Sequence, residues 1–199
     1  AEDGLTQATT LPSLNLLEND NRVSKVVFCT IEREGVCNWF SSYKKVKHIP
    51  LYSIKRRFNL LNKFDDFLRF PKSLESIIKA HNINFIIARG ASAGSLAYLL
   101  HRKTAIPFVV ESFEPHADYM LESGTWSKSS LKYRIQKYFE KKQQISSQGI
   151  ITVSKSYKEH LNFIGVDNAK VEVACCPANK QFFSDRNMPF DDCVTGVYV

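Results

Sequence analysis

The chain has 199 residues, of which 44% are hydrophobic and 24% charged, the balance of a globular protein with a sizeable core. Its apolar runs are far shorter than the roughly 20 residues of a membrane-spanning helix, and its five cysteines have neither zinc-site nor disulfide-framework spacing. A formal net charge of +7 allows an anionic partner without identifying one.

Short apolar segments alternate with helix-like segments along the chain. Residues 108–110 are an unbroken apolar run with β-branched content, which is typical of a strand buried on both faces of a parallel sheet. The alternation predicts an α/β fold with a doubly wound parallel sheet covered on both faces. The predicted helices are 9–18, 71–80, 90–102, 129–145 and 155–164, and the predicted strands are 25–30, 48–52, 84–88, 107–111, 149–153, 171–175 and 193–199.

Residues 44–72 combine nine basic residues with two acidic ones, Asp65 and Asp66. Interleaved phenylalanines and leucines favour a membrane-surface contact, although single-strand nucleic-acid grooves share this pattern and a solvated face is a third interpretation. Because proline interrupts helical hydrogen bonding, Pro71 is expected to separate this amphipathic segment from the helix over 71–80.

Small residues follow the predicted strand 84–88, in the segment 88–95. They let a ligand approach the backbone, and the first amides of the next helix would face a bound anion. Arg89 adds a charge that suits a phosphate or carboxylate. The alternative is that Gly90 and Gly94 only let the helix lie close to the sheet. The segment has neither the dinucleotide fingerprint nor a Walker ending.

A loop is predicted after the strand 107–111, and it collects most of the candidate chemical groups. Ligands of open α/β sheets bind beyond the carboxyl ends of the strands, where this loop begins. Packing of two aromatic residues, Phe113 and Tyr119, is expected to keep the loop folded. The alternative is a solvated acidic loop with helix-capping carboxylates. The ionisable residues are Glu111, Glu114, His116, Asp118 and Glu122.

The predicted helix 129–145 has the pattern of an amphipathic helix, with apolar residues at helical spacing and lysines opposite. Residues 128–142 hold six basic residues against one acidic residue, which makes them a second candidate contact for an anionic partner. The apolar positions are Leu131, Ile135, Tyr138, Phe139 and Ile145.

A domain boundary is expected near the end of the chain. Residues 185–192 have the composition of a linker, and residues 193–199 read as one more strand. We therefore expect one domain over residues 1–187, with a linker and the first strand of a second domain over residues 188–199.

The order of several segments resembles that of family 4 glycosyltransferases. The resemblance covers nearly the whole chain and implies the N-terminal, acceptor-binding, Rossmann-like half of a retaining two-domain enzyme of the GT-B fold. The second domain would bind the donor. The segments are residues 3–6 followed by Leu11 and Pro12, the Ala88-Arg89 pair after a strand, the acidic stretch 111–126, residues 152–154 before a helix, and residues 173–177 followed by Phe182 or Phe183.

The resemblance implies roles for individual residues. Glu111 and Asp118 match acidic positions in the loop that closes over the acceptor, and His116 lies near a catalytic-loop histidine, so these three are the expected catalytic residues. Arg89 matches a basic position that lines the cleft. Residues 4–6 match a loop near the donor phosphates, although the glycine pair common there is missing. The expected binding residues are Gly4, Leu5, Thr6, Arg89, Ser92, Glu114 and Glu122.

The implied reaction transfers a sugar from a nucleotide-sugar donor to a hydroxyl of a glycan or lipid-linked acceptor with retention, as in cell-surface polysaccharide biosynthesis. No cofactor and no metal are expected, although Glu114, His116 and Asp118 could ligate a metal ion. We expect a cytoplasmic protein with a peripheral contact to the inner face of the membrane through residues 55–72, and no nucleic-acid partner.

Two rival classes stay open. A nucleic-acid-binding module would use both basic clusters as one groove, with affinity that falls steeply as salt rises. A self-sufficient α/β domain of hydrolase or receiver type would need its whole site in this chain, and the G-x-S-x-G nucleophile elbow is absent from the sequence.

Overall fold

The computed structural model describes residues 9–32, 42–53 and 59–174, with the backbone alone over 59–65. Gly4, Leu5, Thr6 and the expected boundary at residues 187–188 lie outside these ranges. The helices are α1 (Leu11–Asn19), α2 (Asn59–His81), α3 (Ala91–Thr104), α4 (His116–Glu122), α5 (Leu131–Ser146) and α6 (Lys155–Phe163). The strands are β1 (Val26–Glu32), β2 (Val46–Tyr52), β3 (Ile86–Arg89), β4 (Phe108–Glu111), β5 (Gly149–Thr152) and β6 (Val171–Val173).

The strands form two parallel sheets. β1 pairs with β2, and the other four pair in chain order, β3-β4-β5-β6. Parallel neighbours need a crossover, which a helix supplies between each successive pair from β3 to β6. The predicted α/β class with parallel strands is confirmed. None of the helices in the described ranges is long and apolar enough to cross a membrane.

The main core lies on one face of the four-stranded sheet. Phe108 and Val110 of β4 are fully buried against Ala97 and Tyr98 of α3. Val110 is the register partner of Ile150, which packs with α6 in a second buried cluster. Register partners in neighbouring strands point to the same face, so α3 and α6 cover the same side of the sheet.

Helix α1 links the two sheets. The carboxylate of Glu18, near its end, accepts hydrogen bonds from the backbone N–H groups of Lys44 and Lys45 at 2.7 and 2.8 Å, just before β2. Before its first turn, the carbonyl of Thr9 accepts a hydrogen bond from Arg89 Nη1 at 3.4 Å, at the end of β3. These contacts place α1 beside the carboxyl end of β3.

Helix α2 continues through Pro71, so the predicted break at this proline is wrong. Proline inside a helix costs about 3 kcal/mol, because it removes one hydrogen bond and crowds the preceding turn. Phe70 and Ile78 of the same helix are buried, and burying each large apolar side chain contributes about 1.5–3 kcal/mol. Packing of the helix therefore offsets the local penalty.

The segment predicted as a loop after β4 contains a short helix, α4. Ala117 in its first turn is fully buried, and its backbone N–H donates to the carboxylate of Glu140 on α5 at 2.8 Å. A carboxylate 23 residues away thus satisfies a first-turn amide of α4, a contact that the local sequence does not reveal.

Helix α5 packs on the protein through a different side from the one its apolar pattern predicts. Phe139 contacts the rings of Phe67 and Tyr98, and Gln143 is buried. Four of the five apolar positions are exposed instead. These are Leu131, Ile135, Tyr138 and Ile145.

Gln143 provides the physical reason for this orientation of α5. Its amide donates to the Ser95 hydroxyl at 3.1 Å and to the Ala91 carbonyl at 3.2 Å, both on α3. A buried amide with partners on the neighbouring helix loses little on leaving water, so polar residues can occupy the inner face.

Candidate functional site

The carboxyl ends of β3 and β4 bring two charged side chains together. Arg89 and Glu111 are the last residues of these strands and are register partners. Both strands run in the same direction, so both ends lie at the same edge of the sheet, where ligands of parallel α/β sheets bind.

Arg89 and Glu111 form an ion pair at this edge. Arg89 Nη1 lies 2.9 Å from Glu111 Oε2, and the two side chains are 27% and 17% exposed. The guanidinium also lies over the ring of Phe113, 5.0 Å from its centroid. These contacts fix the guanidinium and the carboxylate in one geometry, and the pair as a whole carries no net charge.

Glu114 and His116 form a second pair just beyond β4. His116 Nδ1 lies 3.1 Å from Glu114 Oε1, and the imidazole meets the ring of Trp126 edge-on at a centroid distance of 5.7 Å. An ionised carboxylate can only accept a hydrogen bond, so Nδ1 carries the proton in this contact. In the neutral ring Nε2 is then the acceptor nitrogen.

Asp118 is engaged with α5. Its carboxylate accepts a hydrogen bond from the Tyr133 hydroxyl at 3.2 Å and contacts Lys137 Nζ at 2.5 Å. Desolvation and the hydrogen bond to Asp118 raise the pKa of Tyr133. Asp118 therefore holds α4 against α5.

Glu140 is a site residue that the sequence patterns did not single out. It accepts hydrogen bonds from the Ala117 N–H at 2.8 Å and from Gln136 Nε2 at 3.1 Å. Burial raises the pKa of Glu140, and the two hydrogen bonds oppose that shift. The one available signal was that Glu140 is the single acidic residue among the six cations of 128–142.

A small cavity lies between β4, β5, α5 and α6. Its volume of about 10 Å³ has room for about one water molecule and is too small to hold a sugar. The Tyr157 hydroxyl lies 3.2 Å from the Ser112 hydroxyl at its wall, and burial raises the pKa of Tyr157 to about 12. The lining residues are Val110, Ser112, Glu140, Gln143, Gln144, Ile150, Tyr157 and Leu161.

The small-residue segment after β3 has two distinct structural roles. Gly90 has φ = +80°, a conformation that favours glycine, and its N–H donates to the Glu111 carbonyl at 2.9 Å. Gly94 lies against Gln143 of α5, and an added Cβ would come within 2.3 Å of that side chain. The close packing of α3 against α5 therefore explains why position 94 is a glycine. Ser92, in the first turn of α3, is exposed.

The structure thus distributes the expected site residues among several neighbouring groups. Arg89 and Glu111 pair at the sheet edge, Glu114 pairs with His116, Asp118 joins α5, and Glu122 is exposed at the end of α4. Within residues 9–32, 42–53 and 59–174, no group of three or more His, Cys, Asp or Glu is arranged to hold a metal ion.

Comparison with known proteins identifies the family. A solved structure from Listeria monocytogenes, assigned as a UDP-N-acetylglucosamine 2-epimerase, is similar at 17% identity and a TM-score of 0.45, over 65% of this chain and 30% of that one. The chain thus spans less than a third of that protein's length. No curated protein matches the chain. The family model described as Glycosyltransferase Family 4 matches residues 36–182, nearly three quarters of the sequence, and the chain belongs to this family.

Proposed function

We propose that this chain forms the acceptor-binding half of a retaining glycosyltransferase. The enzyme transfers a sugar from a nucleotide-sugar donor to a hydroxyl of a glycan or lipid-linked acceptor. Family membership supports glycosyl transfer in general. The observation that carries the assignment is the grouping of Arg89, Glu111 and the Glu114–His116 pair at and just beyond the carboxyl ends of β3 and β4.

In the proposed reaction, Arg89 is the basic group that faces the sugar donor. Negative charge develops on the leaving nucleotide diphosphate, and preorganised cations and N–H donors stabilise it. The contacts of Arg89 with Glu111 and Thr9 both use Nη1. Guanidinium has five N–H donors, so the other nitrogens keep donors for a phosphate or a sugar hydroxyl.

His116 is the proposed base for the acceptor. Glu114 orients the ring through Nδ1 at 3.1 Å, which leaves Nε2 to take a hydrogen bond from an acceptor hydroxyl. The carboxylate of Glu111 at the sheet edge and the exposed carboxylate of Glu122 at the end of α4 can accept hydrogen bonds from further sugar hydroxyls. Asp118 acts by holding α4, through Tyr133 and Lys137.

The expected contact of residues 55–72 with a membrane stays a prediction. In the described part of this segment, Phe70 is buried and Phe67 packs on Phe139. Arg69 donates to the Tyr52 carbonyl and pairs with Asp66. These groups are engaged within the protein, and the cations before residue 59 lie outside the described residues.

The test is to assay Glu111→Gln and Glu114→Gln in the protein together with its proposed donor-binding domain. We expect turnover to fall about a hundredfold with a small change in melting temperature, because each amide keeps the shape but loses the charge. Glu159→Gln, an exposed carboxylate on α6, is the matched control and should retain full activity. Parallel losses of stability and activity would assign both residues to the fold instead.

A further inference from the structure

The outer face of α5 carries a stripe of large apolar side chains. We name Leu131, Ile135, Tyr138 and Ile145 the α5 stripe; their exposed fractions are 67%, 47%, 54% and 61%. Steps of four, three and seven residues place all four on one side of a helix. Single exposed apolar residues are normal on a protein surface, but an aligned group marks an interaction surface.

Cations border the α5 stripe. Arg134 and Lys141 are exposed on the same helix, and Lys142 Nζ lies 5.4 Å from the centroid of the Tyr138 ring. The single carboxylate of residues 128–142, Glu140, faces inward and accepts the Ala117 N–H. The outer surface of α5 is therefore apolar and positively charged.

This combination selects among the partners that could cover the stripe. A second copy of the chain packed face to face would bring cations against cations, which is repulsive. A bilayer interface accepts apolar side chains among its headgroups, while lysine and arginine extend their charges towards anionic lipid. We propose that the α5 stripe and its flanking cations dock this protein onto a bilayer surface that carries anionic headgroups.

The same helix connects this surface with the candidate site. Its inner face holds α4 through Tyr133, Lys137 and Glu140. Docking through the outer face would thus fix the orientation of α4 relative to the lipid surface. The inference does not rest on the proposed transfer reaction, because vesicle binding needs no turnover.

Co-sedimentation with vesicles tests the proposal. The chain is mixed with vesicles of phosphatidylcholine alone, or of phosphatidylcholine with phosphatidylglycerol. We expect preferential binding to the phosphatidylglycerol vesicles. Arg134→Glu/Lys141→Glu should lower the partition coefficient at least about tenfold, since each cation near an anionic surface contributes roughly a fivefold gain. Ile135→Ser/Ile145→Ser should lower it about tenfold through the loss of inserted apolar area.

Two matched double variants test whether binding depends on the α5 surface or only on net charge and on exposed apolar side chains in general. Arg102→Glu/Lys155→Glu makes the same change in net charge at exposed positions on α3 and α6. Leu16→Ser/Phe163→Ser removes two exposed apolar side chains elsewhere. Both should bind like the wild type, and circular dichroism checks that every variant is folded. Equal binding to neutral vesicles, equal losses in the matched variants, or concentration-dependent dimerisation abolished by the α5 variants would overturn the proposal.

Discussion

Glu140 illustrates how one side chain can position a helix that carries candidate site residues. It is the acceptor for the Ala117 N–H in the first turn of α4, and α4 carries His116 and Asp118. An unsatisfied buried N–H costs about 1–3 kcal/mol, more than a typical net hydrogen bond contributes. The fold therefore depends on the oxygen of Glu140 as a hydrogen-bond acceptor and not on its negative charge.

We predict opposite effects for two substitutions of Glu140. Glu140→Gln keeps an oxygen acceptor and removes a charge that burial disfavours, so stability at neutral pH should stay the same or rise. Glu140→Ala leaves the Ala117 N–H without its acceptor and should cost about 1–3 kcal/mol. Urea denaturation at neutral pH measures both, and an equal loss in the two variants would contradict this role of Glu140.

The pH dependence of stability follows from the same carboxyl group. Burial raises the pKa of Glu140 above its ordinary value of 4.5, so the folded state binds this proton more tightly than the unfolded state. Its stabilising contribution is complete below pH 4.5 and is lost as the pH rises through the folded-state pKa. Glu140→Gln should remove this part of the pH dependence, which repeated urea titrations at a series of pH values would detect.

At the scale of elements, Gly94 permits the close contact of α3 with α5. A Cβ there would lie 2.3 Å from Gln143 Oε1 and 2.6 Å from its Cδ. We predict that Gly94→Ala costs about 1–3 kcal/mol, because the buried amide must leave its partners Ser95 and Ala91. In a Gln143→Ala background the same change should be neutral or stabilising by up to about 1 kcal/mol, the helix preference for alanine. Additive effects in this double-mutant cycle would show that the two sites do not interact.

The orientation of α5 can be tested in the same way. Phe139→Ala should cost about 2–3 kcal/mol, less than a fully buried phenylalanine would, since its ring is partly buried and packs against Phe67 and Tyr98. Ile135→Ala, at an exposed position, should change the free energy of unfolding by less than about 0.5 kcal/mol. Chemical denaturation of the two variants compares the inner and outer faces directly, and similar losses would mean that the α5 stripe is covered.

At the scale of the whole molecule, the proposed function assigns donor binding mainly to a second domain. We predict that this chain alone folds cooperatively but transfers no sugar when it is supplied with a panel of nucleotide sugars and glycan acceptors. Product analysis by mass spectrometry provides the measurement. Specific transfer, or specific hydrolysis of one donor, would show that residues 1–199 contain a complete site.

The sequence by itself determined the class of fold and most of its elements. Apolar runs that end in polar or small residues predicted β3, β4 and β5 to within two residues at either end, because strands buried in a parallel sheet have to be apolar along their length. The order of motifs indicated the family that the match over residues 36–182 shows. Arg89 and Glu111 were each expected at or just beyond the end of a strand, and the parallel pairing of β3 with β4 brings these two ends together at one edge.

Tertiary structure decided what local pattern could not. The first turn of α4 is held by the carboxylate of Glu140. Pro71 is tolerated within α2 because neighbouring residues of that helix are buried. Helix α5 turns Gln143 and Glu140 towards the protein because both side chains find hydrogen-bond partners there. Each outcome rests on a contact between residues distant in sequence. Periodicity identifies a helix and its apolar side, but the partners available in the folded protein decide which side faces inward.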